Sequence, residues 1–302
     1  YEDSHLVEFT AAVTACEAVE TGWAIQLDAT AFYPTGGGQA CDKGMLGDAN
    51  VLDVQEKDGN ILHFCDKKLE VGQIVTGRID WARRFDHMQQ HAGDHMIASA
   101  LHRLMGGVTI GLHISADVST IDVSMPGGAT RITEEEIRRI EADVNERIQR
   151  DVPIRCWFPS DEELETLPLR KKPTVSEHIR VVAIGDDEMV ACGGTHPATA
   201  GQVGLVKIVS VAPARGKMRV AFLAGQRALN DYFKCREAAH AAAELFSTGV
   251  DNLTASISAM QEKLHAVETG ALGGLDKRPA LLDRERARDF DEDVLAVFHR
   301  VE

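Results

Sequence analysis

Two pairs of metal-binding residue types lie far apart in this chain, and both pairs have the same four-residue spacing. His91 and His95 belong to residues 84–101, which read as a helix, so both imidazoles project from one helical face. Cys192 and His196 enclose a Gly-Gly-Thr turn in the second pair. If all four side chains bind one ion, the helix and the later turn must lie side by side in the fold.

Zinc ordinarily takes cysteine and histidine ligands in a tetrahedral shell. The sequence therefore predicts Zn²⁺ held by His91, His95, Cys192 and His196. Four protein ligands are typical of a closed structural site, whereas a catalytic zinc keeps one position open for water or substrate. Coordination alone thus favours a structural zinc.

The residues around the histidine pair narrow the chemistry. The three positions between the histidines hold no glutamate, so the zinc-protease motif is absent. Asp94, the last of these positions, is expected to point away from the two histidines, toward solvent or a bond behind the metal. His87 precedes His91 by four residues. We interpret it as a donor behind the metal or a solvated residue rather than a ligand.

Periodicity predicts a chain of mixed structure. Alternating apolar residues over residues 5–80 predict short strands, typical of a small barrel or a sandwich. Residues 81–105 read as one helix, and more strands and helices follow without a βαβ repeat. The predicted fold class is therefore α+β. Within it, Thr133 and Glu136 form a capping-box pattern that predicts the start of a second long helix.

We divide the chain into three domains. Residues 1–82 form a small β-barrel-like domain with a glycine-rich loop, residues 83–225 an α+β zinc-binding domain, and residues 226–302 a helical C-terminal segment. This last segment combines an alanine-rich stretch with apolar residues at helical spacing. It is predicted to form a helical hairpin or a surface for homodimerisation.

The charge of the chain limits its partners. A net charge of −15 argues against broad, sequence-independent binding to phosphate backbones, although it allows a local basic patch. The acidic runs at residues 134–136, 161–163 and 186–188 are interpreted as solvated faces. The six cysteines form no CxxC pair, and no signal peptide or long apolar span is evident. These features predict a cytoplasmic protein that does not contact membranes.

A glycine-rich stretch interrupts the predicted strands. Gly36, Gly37 and Gly38 are consecutive and precede Gln39. Successive glycines let the main chain approach a ligand closely and expose several N–H groups to it, but they are also typical of a flexible hairpin tip. Both interpretations remain open from this stretch alone.

Three motifs together resemble a known family. They are Phe32-Tyr-Pro-Thr-Gly-Gly-Gly-Gln39 with Asp42, the His91/His95 helix, and Cys192-Gly-Gly-Thr-His196. Their order and spacing over residues 5–230 resemble the AlaX family of freestanding alanyl-tRNA editing proteins and the editing domain of alanyl-tRNA synthetase. The resemblance implies zinc-dependent hydrolysis of the ester that joins serine or glycine to tRNA(Ala). Such a second hydrolytic sieve is useful because an alanine pocket rejects glycine and serine poorly.

The resemblance also implies roles for residues of the loop and the turn. Gly37 and Gly38 would offer N–H groups to the carbonyl oxygen, and Gln39 would align water or substrate. Thr35 and Thr195 are candidates for sensing a serine hydroxyl, and Asp42 is assigned to substrate binding. No general base is evident, and a tRNA hydroxyl is an alternative.

Three rival functions remain open. A zinc-stabilised RNA-binding module without turnover would have the same four ligands. Editing of Ser-tRNA(Thr) is a related activity, because the editing domain of threonyl-tRNA synthetase resembles the two-part metal motif; the glycine-rich loop favours the alanine system. A metallopeptidase-like hydrolase would need a glutamate that the histidine motif lacks.

Overall fold

The computed structural model describes residues 3–171, 173 and 178–274. It shows an α+β fold that divides into two compact units, with the division between Phe233 and Lys234. The predicted fold class is thereby confirmed. In the described part of the chain, no helix combines the length and the apolar character needed to cross a membrane.

The N-terminal strands close into a six-stranded barrel with the order β1-β2-β5-β4-β3-β6. They are β1 (Glu8–Val19), β2 (Gly22–Leu27), β3 (Gly44–Leu46), β4 (Ala49–Lys57), β5 (Asn60–Cys65) and β6 (Ile74–Ile79). Side chains alternate between the apolar interior and solvent, so Ile25, Leu46 and Val54 are fully buried inside. Of the predicted barrel or sandwich, the structure shows the barrel.

Between the barrel and residue 225, the described residues form two antiparallel sheets and three α-helices. The helices are α1 (Trp81–Met105), α2 (Glu134–Gln149) and α3 (Asp161–Thr166). The strands are β7 (Val108–Ile114), β8 (Ser119–Ser124), β9 (Ile154–Trp157), β10 (Val181–Ile184), β11 (Glu188–Ala191), β12 (Val206–Ala214) and β13 (Lys217–Ala224). One sheet has the order β12-β13-β8-β7, and the other has the order β11-β10-β9.

Helix α1 is the predicted histidine helix, with the predicted bounds. Asp80 caps its first turn by accepting a hydrogen bond from the Arg83 N–H, and Gly106 ends it with a φ of 70°. Every side chain from residue 87 to residue 101 is buried, so α1 is enclosed on all sides there. Helix α2 begins with the predicted capping box of Thr133 and Glu136.

A buried ion pair joins the barrel to α1. Arg84 and Asp42 are both fully buried, and the Arg84 guanidinium forms a fork on the Asp42 carboxylate. Arg84 also donates to the Ser4 and Ala31 carbonyl oxygens, while Asp42 accepts a 2.6 Å hydrogen bond from the Tyr33 N–H. The pair therefore anchors both ends of the glycine-rich stretch to the start of the histidine helix.

Two helices follow the second sheet. Helix α4 spans Gln226–Leu245, and helix α5 spans Leu253–Gly274. Several apolar side chains of α5 are exposed, among them Met260, Leu264 and Val267. Residues 275–302 of the predicted helical segment lie outside the described residues.

Candidate active site

The structure brings the four predicted metal ligands together. One ligand atom from each of His91, His95, Cys192 and His196 lies within 4.8 Å of all the others. The Cys192 Sγ lies 3.3 Å from His91 Nε2 and 3.4 Å from His196 Nε2. A tetrahedral zinc shell places sulfur and nitrogen ligands about 3.5 Å apart. The cluster therefore fits zinc in both donor set and size.

Gln39 orients the first of these ligands from the barrel side. Its Oε1 lies 2.7 Å from His91 Nδ1, which leaves His91 Nε2 directed at Cys192. Its Nε2 donates a 2.8 Å hydrogen bond to Thr195 Oγ1, and its Oε1 also accepts from the Thr195 N–H. Gln39 is only 1% exposed, and Thr195 is fully buried. Both side chains thus lie behind the Cys/His cluster, where they fix the tautomer of His91.

Glu188 lies behind the second ligand. Its Oε1 is 3.5 Å from His95 Nδ1, and Arg170 binds both of its oxygens at 2.8–3.0 Å. Arg170 also donates to Thr109 Oγ1 on β7. The interpretation of residues 186–188 as a solvated face is wrong for Glu188, which is 1% exposed. The sequence does carry a signal for this burial, because Glu188 is the first residue of the short strand β11, which leads to Cys192.

The electrostatics of the cluster suit a metal thiolate. Burial raises the pKa of the Cys192 thiol, but the adjacent His91, His95 and His196 outweigh burial and hold that pKa well below its ordinary value. Burial lowers the pKa of His95, but Cys192 and Glu188 outweigh it and raise the pKa to about 10. A metal ion bound by these four groups would compete with protons for the same lone pairs, so metal binding is expected to release protons.

Two glycines permit the close packing at this centre. A Cβ on Gly194 would lie 2.1 Å from the His91 ring, so only glycine lets the 192–196 turn approach the helix. Arg180 holds this turn by donating to the Gly194 carbonyl oxygen at 2.7 Å. Gly38 has a φ of 83°, and a Cβ there would lie 2.3 Å from the Leu112 carbonyl oxygen.

The glycine-rich loop is a tight turn held by hydrogen bonds. Gly36 and Gln39 exchange two backbone hydrogen bonds, the Tyr33 hydroxyl donates to the Gly36 carbonyl, and Gly38 accepts from the Ile114 N–H on β7. These contacts favour an ordered ligand-facing loop over a flexible tip. Gly36 and Gly37 line the adjoining pocket, whereas Gly38 packs against β7.

A pocket of about 710 Å³ opens beside the cluster. Its walls come from the glycine-rich loop, β4, α1, β7, the segment before β10, and β11 with the turn that follows it. The residues that line it include Thr35, Gly37, Glu56, His91, Asp94, His95, Thr109, Arg170, Lys171, Arg180 and Cys192. Thr35 thus reaches the pocket, and its Oγ1 accepts a hydrogen bond from the Cys41 N–H.

The structure does not bring every predicted substrate contact to the pocket. Asp42 is absent from its walls, and both carboxylate oxygens already bind Arg84. Thr195 and Gln39 face the cluster from behind. The assignment of Asp42 to substrate binding is thereby corrected: a fully buried carboxylate in an ion pair has no free oxygen for a ligand.

Asp94 is the pocket residue that sequence reasoning placed wrongly. It was expected to point away from the histidines, but it lines the same pocket as His91 and His95. The reason is helical geometry, because residues three apart on a helix are neighbours on its surface. Burial raises the pKa of the Asp94 carboxyl. Its Oδ1 has no hydrogen-bond partner in the described part of the chain.

His87 belongs to neither the cluster nor the pocket. It is buried one turn before His91, so the interpretation as a solvated residue is wrong. Burial lowers its pKa to about 4, which leaves the ring neutral. The other interpretation was a donor behind the metal. The His87 Nδ1 does not support it, because this atom has no hydrogen-bond partner among the described residues.

Comparisons with known proteins agree with this architecture. Residues 4–83 match the family of tRNA synthetases class II (A), and residues 179–220 match the threonyl and alanyl tRNA synthetase second additional domain. The first match contains the glycine-rich loop, and the second contains Cys192 and His196. The two matches thus place the chain among proteins related to the alanyl and threonyl tRNA synthetases. In this chain the glycine-rich loop of the barrel contacts the Cys/His cluster.

The chain belongs to the AlaX-type family of alanyl-tRNA editing proteins. It is 34% identical over 279 residues to the alanine–tRNA ligase of Ignicoccus hospitalis, covering 89% of this chain and 30% of the ligase. It is 30% identical over 276 residues to the alanyl-tRNA editing protein Aarsd1 of Mus musculus, covering 86% of this chain and 66% of that protein. The Danio rerio Aarsd1 is 27% identical over 296 residues, with 71% of that protein covered. The chain therefore spans only part of the first relatives.

Proposed function

We propose that this chain is an aminoacyl-tRNA hydrolase that deacylates tRNA(Ala) mischarged with serine or glycine. The observation that carries the proposal is the position of the Cys/His cluster. Three of its four ligands, His91, His95 and Cys192, form part of the wall of the pocket that the glycine-rich loop also lines. Family membership and the names of the relatives supply the substrate class.

The pocket residues suit an ester substrate. When bound, zinc would supply Lewis-acid polarisation of the ester carbonyl. The Gly37 backbone lies at the pocket, where an N–H group is able to stabilise a developing oxyanion. Lys171 lies on the exposed part of the pocket wall, where it offers a positive charge despite the net charge of −15. This charge would favour the phosphates at the tRNA 3′ end.

The other predicted site residues act through the ligands. We propose that Gln39 and Thr195 are positioning residues, because their hydrogen bonds run to His91 and to each other. Gly38 permits the loop to pack on β7. Zinc is the proposed metal because three imidazoles and one thiolate form the set that zinc prefers.

A deacylation assay with serine, glycine and alanine on the same tRNA(Ala) tests the proposal. Release of serine or glycine is expected to be at least about 100-fold faster than release of alanine, because the activity is a sieve against the wrong amino acid. Ser-tRNA(Thr) serves as the comparison for the related editing activity. Faster release from Ser-tRNA(Thr) than from Ser-tRNA(Ala) would show that the tRNA assignment is wrong.

One observation favours a second function. The cluster already supplies four protein ligands, which is typical of a structural zinc. A zinc-stabilised RNA-binding module would have no turnover. It would bind tRNA(Ala) regardless of the attached amino acid, and chelation would unfold it without changing any rate of ester hydrolysis.

Gln39→Ala is expected to weaken zinc binding by about 10- to 100-fold, because it removes the hydrogen bond that orients His91. Competition with a chromophoric chelator measures the affinity. Gln55→Ala is the matched control, since the Gln55 side chain is exposed and, in the described structure, donates a hydrogen bond to Asp53. Equal zinc affinity in the two variants would contradict the positioning role.

Thr35→Val is expected to slow serine release by about tenfold while changing glycine release by less than about threefold. Thr35 is the predicted hydroxyl sensor that reaches the pocket. The serine-to-glycine ratio is the informative quantity, because loss of the hydrogen bond from the Cys41 N–H would affect both substrates. An unchanged ratio would remove Thr35 from serine recognition.

The helical segment is the proposed site of self-association. Its exposed apolar residues on α5, Met260, Leu264 and Val267, support a homodimer. Sedimentation analysis of the chain with Leu264→Glu tests this: the wild type is expected to sediment as a dimer and the variant as a monomer. Monomeric wild-type protein would contradict it.

A further inference from the structure

Asp94 lines the pocket but is not one of the four residues of the Cys/His cluster. It is 94% buried by accessible surface, since only 6% is exposed, and its Oδ1 has no hydrogen-bond partner among the described residues. A buried carboxylate oxygen without a partner is costly, and native structures satisfy such groups almost everywhere. Its position beside the cluster therefore points to a partner that enters the pocket.

Among the described residues, both buried arginines of the pocket wall already have hydrogen-bond partners. Arg170 is bound to Glu188 and Thr109, and Arg180 donates to the Cys192 and Gly194 carbonyl oxygens. Asp94 is also outside the group of four ligand atoms that lie within 4.8 Å of one another. The pocket thus contains a buried carboxylate oxygen whose acceptor position is open among the described residues, and a small hydrogen-bonding cation would complement it.

We propose that Asp94 accepts a hydrogen bond from the α-ammonium group of the aminoacyl ester. This inference rests on the proposed function, because that function supplies a substrate with an ammonium group one carbon from the scissile carbonyl. Asp94 lies three residues after His91 and one before His95 on the enclosed helix α1, so an ammonium held there leaves the carbonyl beside the cluster.

The proposal makes Asp94 a specificity-determining residue. A free amine is then part of what the pocket recognises, and an N-acylated aminoacyl group is excluded. N-acylation removes the positive charge and replaces it with a bulkier neutral amide, so the buried carboxylate loses its partner. The proposal thus names the substrate class as aminoacyl esters with an unblocked α-amine.

Binding of a stable substrate analogue tests this. The probes are adenosine carrying serine through a 3′-amide, with either a free or an acetylated α-amine, and calorimetry gives the dissociation constants for zinc-loaded protein. The wild type is expected to bind the free-amine probe at least about tenfold tighter, and Asp94→Asn is expected to lower this preference below about threefold. Glu56→Gln removes a carboxylate from the exposed part of the same pocket wall and is expected to retain the preference.

Zinc content and thermal unfolding of each variant are measured in parallel. A merely structural role for Asp94 would weaken both probes equally and leave their ratio unchanged, which would overturn the proposal. Failure of the wild type to prefer the free amine, or to bind either probe, would also overturn it. Deacylation of Ser-tRNA(Ala) by the same preparation separates the two claims: turnover without amine preference refutes only the role of Asp94, and absence of turnover refutes the proposed function.

Discussion

Cys192→Ala is expected to abolish stoichiometric zinc binding and to slow serine release from Ser-tRNA(Ala) by at least about 100-fold. The thiolate is the one anionic ligand of the cluster, and its Sγ contacts two of the three histidine ligands. Without it, three buried imidazoles remain with no negative charge among the ligands to attract a cation. Elemental analysis gives the zinc content, and the deacylation rate is measured on the same sample.

Cys156→Ala provides the matched control. Cys156 is an exposed cysteine on β9 and does not belong to the cluster. This variant is expected to retain one zinc per chain and the wild-type rate. A Cys192→Ala variant that kept both its zinc and the wild-type rate of serine release would contradict the role of Cys192 as a ligand.

Arg84→Met is expected to lower the free energy of unfolding by about 3–5 kcal/mol. The substitution leaves the Asp42 carboxylate buried without its counter-ion, and it removes the donors to the Ser4 and Ala31 carbonyl oxygens. The loss also loosens the glycine-rich loop, since Asp42 holds the Tyr33 backbone. Urea denaturation at constant zinc measures the change.

The control for this prediction is an exposed ion pair of the barrel. Arg78 and Glu8 are 68% and 59% exposed, so Arg78→Met is expected to cost less than about 1 kcal/mol. Equal urea midpoints for the two variants would contradict the anchoring role of Arg84. Asp42→Asn should be destabilised to a similar extent as Arg84→Met, because it breaks the same pair from the other side.

The features predicted from sequence were those with short-range patterns. The four-residue spacings of both ligand pairs, the capping box of α2 and the full extent of α1 are all local signals, and the structure shows each of them. Alternation of apolar residues predicted the strands of the barrel but not its closure, because closure depends on the pairing of β1 with β6. That contact is not encoded in any short segment.

The features that sequence did not predict depend on contacts between distant segments. Gln39 looked like a pocket residue because it follows three glycines, but its partner Thr195 is 156 residues away. Glu188 was predicted to be solvated because it belongs to an acidic run, but in the structure β11 holds it beside His95. Asp94 was misplaced for a different reason, because its neighbouring position on the helix was readable from its three-residue offset to His91.

The most direct test of the central claim is a zinc titration of the metal-free chain, with serine release from Ser-tRNA(Ala) measured at each zinc content. Circular dichroism confirms at each point that the protein is folded. The rate is expected to rise in proportion to bound zinc and to reach its maximum at one zinc per chain, because the cluster and the pocket form one site. Folded, zinc-loaded protein that releases serine no faster than buffer would contradict the account.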